Sequence, residues 1–171
     1  MAVDVTRAEV LDALKGAWGE WDALAEQIPR ERIAEPGMAG HWAYKDVLAH
    51  LMGYERYVAA RIRSMITRKG PTPMEAFGTA EPPAYVPGMT DDDQNAMIYE
   101  LYRSQTPEAI QAEARRVRAA LVDAIESLLE DQLNQPAPWT GSTKVSDRIA
   151  DETYRHCEEH MVALREWLDR S

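Results

Sequence analysis

Apolar residues recur every three or four positions along four long stretches of this chain, and nowhere do they alternate with polar ones between turn signals. That period fits amphipathic α-helices and argues against half-buried strands. In the first stretch Val10, Leu11, Leu14, Trp18, Trp21, Leu24 and Ile28 form one stripe. Thr6, with Glu9 three residues on, is a capping-box signature ahead of it, and Pro29 closes it, so a helix is predicted over roughly 6–28. After a loop at 29–40, the stripe Val47, Leu48, Leu51, Tyr54, Val58, Ile62, Met65 and Ile66 predicts a second helix from about 44 to 69, stopped by Gly70–Pro71.

Residues 70–90 hold Pro71, Pro73, Pro82, Pro83 and Pro87 together with Gly70, Gly78 and Gly88. That density predicts no regular element, and a loop so long inside a domain is expected to be a lid, a binding loop or an interface. Thr90 and Asp93 open a shorter helix, about 91–105. Thr106, Pro107 and Glu108 read as N-cap, first-turn proline and first-turn acid of a helix to about 132, with Ile110, Ala114, Val117, Leu121, Ile125 and Leu128 inside. A second loop follows at 134–145, and Ser146 is the expected cap of a last helix over 146–169. The predicted fold class is all-α: a four-helix bundle of antiparallel type, with one extra short helix and a long proline-rich loop.

A chain of 171 residues with 45% apolar content suits one domain with a real core, spanning 1–171. Its net charge of −10 argues against a nucleic-acid or anionic-membrane partner, since both call for basic surfaces. The single cysteine, Cys157, permits no internal disulfide and fits a reducing compartment. The first residues, MAVDVTRAEV, are too acidic and too polar for a secretory signal. No apolar run approaches the ~20 residues needed to span a bilayer, so the expected location is the cytoplasm and no membrane contact is expected.

Four histidines are present, and three attract attention. His156 and His160 are spaced i, i+4, which sets two imidazoles one turn apart on one helix face. Such a pair alone is a weak signal, because both rings can simply face water. Here they lie in line with Ile149, Thr153, Leu164 and Trp167, the apolar side of the helix. His50 shares a face with Val47 and Tyr54 on the second helix and points toward the core; taken alone it reads as a hydrogen-bonded core residue. Burying several imidazoles together is costly unless something satisfies them. A divalent metal does so, with His50 as third ligand from a facing helix. Three neutral imidazoles suit Zn²⁺, Ni²⁺, Fe²⁺ or Co²⁺, and three protein ligands leave positions open for chemistry. His41 reads as a capping or pocket-rim residue, and Cys157 as a small packing residue.

The strings WAYKDVLAHLMGYE (42–55) and HCEEHMVALREWL (156–168), about 100 residues apart, resemble the DinB-like superfamily. The resemblance spans essentially the whole chain. It implies a four-helix bundle, a metal held by His50, His156 and His160, and a homodimer. It also implies an activity of the thiol-dependent transferase or hydrolase type, with a low-molecular-weight thiol as cosubstrate. A finer resemblance, in IPRERIAEPGMAGHWAYKDVLAHLMGYE (28–55), the loop around Trp139 and the closing HMVALREWL, is to the colibactin self-resistance branch. That branch has a tyrosine where His50 stands, so it implies the fold and the pocket position here and not the branch's own reaction.

Near these motifs Glu55 and Tyr54 are the candidate catalytic residues. Glu55 would be a general base or an acceptor that orients a ligand histidine, and Tyr54 a donor to a bound ligand, with core packing the bland alternative for the tyrosine. Trp42 and Tyr154 are further pocket candidates. Glu159 reads as a solvated acid and Trp139 as a plug at the bundle end. The expected function is a metal-dependent enzyme acting on a small electrophilic or toxic molecule. The alternative is a non-catalytic binder that sequesters one.

Overall fold

In the computed structural model, residues 4–79 and 90–170 are described. The elements run α1 (Arg7–Ala25), a 3-10 turn at Arg30–Arg32, α2 (Tyr44–Thr67), α3 (Pro73–Phe77), α4 (Asp91–Tyr102), α5 (Pro107–Glu126), α6 (Glu130–Leu133), α7 (Val145–Glu152) and α8 (Tyr154–Leu168). No strand occurs among the described residues; two isolated bridges, Ala39–Trp42 and Pro136–Lys144, only pin loops. The bundle is made by α1, α2, α5 and the α7–α8 pair, with α2 packed mainly on α5, and α1 on α8.

The caps follow the sequence. The Thr6 hydroxyl accepts from the Glu9 amide while Glu9 reaches back to the Thr6 amide. Thr90 with Asp93 repeats this at α4, and Thr106 caps α5 by accepting from Ala109. Each such cap contributes about 1 kcal/mol by satisfying amides that a helix start leaves unpaired. At α2 the Asp46 carboxylate accepts from the Ala43 amide at 3.0 Å, so an acid inside the first turn serves where Ala43 has no side chain to cap with.

The differences from the sequence expectation are local. Residues 73–77 do form a helical turn, against the expectation of no regular element in 70–90. Pro73 sits at the first position, where its missing amide costs nothing, and Thr72 and Glu75 make a capping box. The lid expectation for the rest of that loop falls on 80–89, outside the described residues. The helix expected over 107–132 stops at Glu126, and α6 is separate. α2 ends at Thr67, because Arg68 takes a left-handed backbone (φ 57°), two residues before the expected stop at Gly70. Ser146 is no cap; it is buried in the first turn of α7, which starts after Lys144.

The last helix is broken at Thr153 (φ −129°, ψ −92°), whose hydroxyl donates back to the Ile149 carbonyl. Such a back-bond from threonine competes with the helical ladder and bends it. The core divides along the bundle axis. Trp21, Val47, Met52, Ile110, Met161 and Leu164 fill one half, and Leu14, Ile62, Leu121, Ile125, Leu133 and Ile149 the other. The three histidines lie at the first half.

Candidate metal centre

α2 presents His50, and α8, re-aimed by the break at Thr153, presents His156 and His160. Their Nε2 atoms converge: His50 to His156 is 2.9 Å, and His160 to His156 is 3.2 Å. One ligand atom from each ring lies within 4.8 Å of both others. Three imidazoles bound to one tetrahedral ion at 2.0–2.1 Å would have nitrogens about 3.3 Å apart. The two spacings to His156 lie near that value, so the cluster could hold a shared ion.

The electrostatics agree. His50 is 4% exposed. Burial first, then its two histidine neighbours, pushes its pKa down to about 3. Burial and His160 bring His156 down to about 4, opposed by a hydrogen bond to the Glu152 backbone. Burial also lowers His160, against the nearby Glu159. All three shifts favour the neutral rings, which offer lone pairs. A hydrogen bond between two Nε2 atoms needs one N–H and one lone pair, so three convergent Nε2 atoms cannot all be paired by one another. A cation at their centre removes that conflict. One detail departs from the common pattern: His50 Nδ1 is buried with no partner among the described residues, whereas ligating histidines usually donate from the second nitrogen.

The triad forms one wall of a cleft of about 390 Å³, with Trp42, Tyr54, Asn95, Arg148 and Glu152 among the other walls. The Trp42 ring lies 5.2 Å from His50 and stacks on Tyr99 at 6.0 Å, nearly parallel. The Tyr54 ring lies 5.0 Å from His50 and 4.9 Å from His156, and its hydroxyl donates to Asn95 Oδ1 at 3.0 Å. Burial pushes the Tyr54 phenol up to about 12, so it stays protonated. Glu152 pairs with Arg148 across one turn of α7; burial raises its pKa and the guanidinium opposes the rise.

Glu55 does not join this cleft. It is buried on another side of α2, where its carboxylate accepts from Trp18 Nε1 at 2.6 Å and lies 4.0 Å from Arg118. Five residues from His50 is roughly 140° around a helix, so the two side chains diverge. Cys157 is 1% exposed, its thiol is pushed up to about 12 by burial, and its sulfur lies 4.0 Å from the Ala17 carbonyl; it is a packing residue. Glu159 is exposed, and Trp139 lies at the other end of the bundle. Tyr154 packs between the two core halves. His41 touches Trp42 and Tyr99 from outside the cleft.

Asn95, Asp91, Arg148 and Glu152 were not expected as pocket residues. Arg148 and Glu152 carry a legible signal, since they precede His156 by eight and four residues on the same side of the last helix. Asn95 and Asp91 carry none, because only the docking of α4 brings them over.

The family model of the DinB superfamily matches residues 13–162. The chain belongs to the DinB superfamily. No curated protein matches it. Among solved structures, an uncharacterised protein from Escherichia coli UTI89 superposes with a TM-score of 0.78 at 22% identity, covering 99% of this chain and 96% of that one. The sibling lethal factor precursor DfsB superposes at 0.76 with 17% identity, over 97% of this chain and 96% of that one. The colibactin self-resistance protein ClbS, solved in complex with a dsDNA, superposes at 0.73 with 17% identity, over 96% of each chain. At these identities the shared property is the fold. This DinB superfamily member has, in addition, the three-histidine cluster that can hold a metal. No helix among the described residues is long and apolar enough to cross a membrane.

Proposed function

We propose that the protein is a metal-dependent enzyme of the thiol-transferase or hydrolase type, acting on a small electrophilic or toxic molecule. One observation carries the reading: three neutral imidazoles converge on one point at the wall of an open cleft large enough for a small molecule. His50, His156 and His160 would hold the ion. When bound, a divalent ion such as Zn²⁺, Ni²⁺ or Fe²⁺ supplies Lewis acidity, which activates a water or a low-molecular-weight thiol and polarises an electrophile.

The chain's own residues supply the rest. Trp42 and Tyr54 present flat apolar faces beside the triad and restrict water there. The Tyr54 hydroxyl, held protonated, is placed to donate a proton or hydrogen bond to a substrate oxygen once it exchanges its bond to Asn95. Arg148 and Glu152 set a paired charge at the cleft wall that can orient a polar substituent. The proposal extends to a detoxifying role, carried out as a homodimer in the cytoplasm.

The test is elemental analysis of purified protein, followed by thiol consumption in the presence of an alkylating probe. About one ion per chain and chelator-sensitive turnover are expected. A second reading, a non-catalytic binder of the self-resistance kind, draws on the aromatic wall of Trp42 and Tyr54, with Tyr99 stacked against Trp42. Ligand-induced stabilisation that ignores chelator and shows no turnover would replace the first reading with the second. The dsDNA held by ClbS raises the same question for this chain; its net charge of −10 argues against nucleic acid as the main partner.

A further inference from the structure

The far end of α2 carries a second cleft, of about 400 Å³, lined by Arg61, Met65, Arg68, Lys69, Pro138 and Trp139 among others. It shares no residue with the histidine cleft. Arg61 lies three turns beyond His50 on α2, about 16 Å along the axis at 1.5 Å per residue.

Its charge is unlike the rest of the molecule. The chain has 29 acidic and 19 basic residues, yet among the described residues no carboxylate lines this cleft. Between Glu55 and Glu75 the sequence holds five basic residues and no acid, and the Trp139 loop is free of acid from Gln132 to Ser146. The adjoining groove shows what the alternative looks like: there Arg56, Arg63 and Arg116 stand beside Glu75 and Glu113. Arg61 is held by a neutral partner, donating to the Tyr57 hydroxyl at 2.6 Å and standing over its ring, so its charge is not cancelled. No carboxylate among the described residues pairs with Arg61, Arg68 or Lys69 within ion-pair distance. The C-terminus of α2 offers about half a negative charge, which offsets a fraction of three cations.

We propose that this cleft is a second ligand site, for a small phosphate-bearing molecule with a flat ring, a nucleotide by chemical class. Arg61, Arg68 and Lys69 supply the charge for phosphate oxygens, and the Trp139 ring supplies a face for stacking. An extended nucleic acid fits less well. A long polyanion would overhang a surface that is acidic overall, while a small anion feels mainly the charges within a Debye length of about 10 Å.

The test is calorimetric titration of the full chain with ADP, inorganic phosphate and a single-stranded oligonucleotide. ADP is expected to bind, and the double variant Arg68→Gln, Lys69→Gln to weaken it at least about tenfold by loss of two charge-assisted contacts. Trp139→Ala should weaken ADP severalfold, and Trp139→Tyr should restore most of that. Since Arg68 and Lys69 are exposed, the double variant should keep the wild-type melting temperature and metal content. No heat with millimolar ADP would overturn the proposal, as would equal affinity of the double variant. Phosphate binding as tightly as ADP would remove the ring from the assignment. An oligonucleotide binding tighter than ADP would make the cleft a nucleic-acid surface instead. Loss of ADP binding in His160→Ala, with the double variant unaffected, would move the anion to the histidine cleft.

Discussion

His50 and Glu55 lie five residues apart on α2, each 4% exposed, and the protein treats them in opposite ways. Glu55 is given partners by the chain: the Trp18 indole donates to it and the Arg118 guanidinium lies alongside, itself tied to Asp22. His50 is given two more imidazoles, whose converging nitrogens compete with its own, and nothing at Nδ1 among the described residues. A buried polar group that the fold satisfies is structural. A buried cluster that the fold leaves unsatisfied, at the wall of a cleft, is a place for a ligand.

The largest expected effect tests the histidine side of that contrast. His50→Ala or His160→Ala should reduce metal content from about one ion per chain to a small fraction, because two imidazoles cannot hold what three do. Unchanged metal content would dissolve the distinction between the two clusters. Glu55→Ala should do the reverse. It leaves Trp18 and Arg118 facing an empty acceptor and should cost about 2–3 kcal/mol in urea unfolding, while metal content stays the same. Metal loss in this variant, with stability intact, would mean that Glu55 serves the ion after all. Tyr54→Phe keeps the ring against His50 and His156 and removes only the hydroxyl. Metal content should hold and turnover should drop about tenfold, the usual scale for a proton donor.

A separate effect is in pH. Burial raises Glu55 to about 7 from 4.5, so between those values the folded chain binds a proton that the unfolded chain does not. Its contribution to stability therefore falls as pH rises from about 4.5 to 7 and is flat outside that window. The histidines tilt the other way in metal-free protein. Their lowered pKa values mean the unfolded chain binds more protons below about 6.5, so their contribution is lost as pH falls. The stability of Glu55→Gln minus that of wild type should rise through 4.5 to 7. A flat difference curve would show that Glu55 is ionised throughout, with Arg118 outweighing burial.

Much of this architecture is legible one residue at a time. Thr6 with Glu9, Thr90 with Asp93, and Thr106 with Pro107 mark three helix starts that the structure keeps, because a cap is settled within four residues. The misplaced boundaries have the same local origin read at lower contrast. Pro73 looks like a breaker and is a first-turn residue, and Arg68 rather than glycine takes the left-handed end of α2. Glu55 lies away from the cleft for a different reason. Its sequence distance from His50 suggests proximity, but helical rotation separates them, and only the packing of α1 and α5 shows where the carboxylate goes.

The spacing of His156 and His160 by itself determined that two imidazoles share a helix face, since 3.6 residues per turn leaves no other outcome. It could not determine that His50, 106 positions earlier in the chain, closes the set. That needs α2 laid against α8, and α8 turned by the break at Thr153, an arrangement set by the packing of Val47, Met161 and Leu164 and not by any local preference. The same holds for the cleft walls from α4 and α7. Local periodicity decides which residues can be ligands, and long-range burial of apolar surface decides which of them meet.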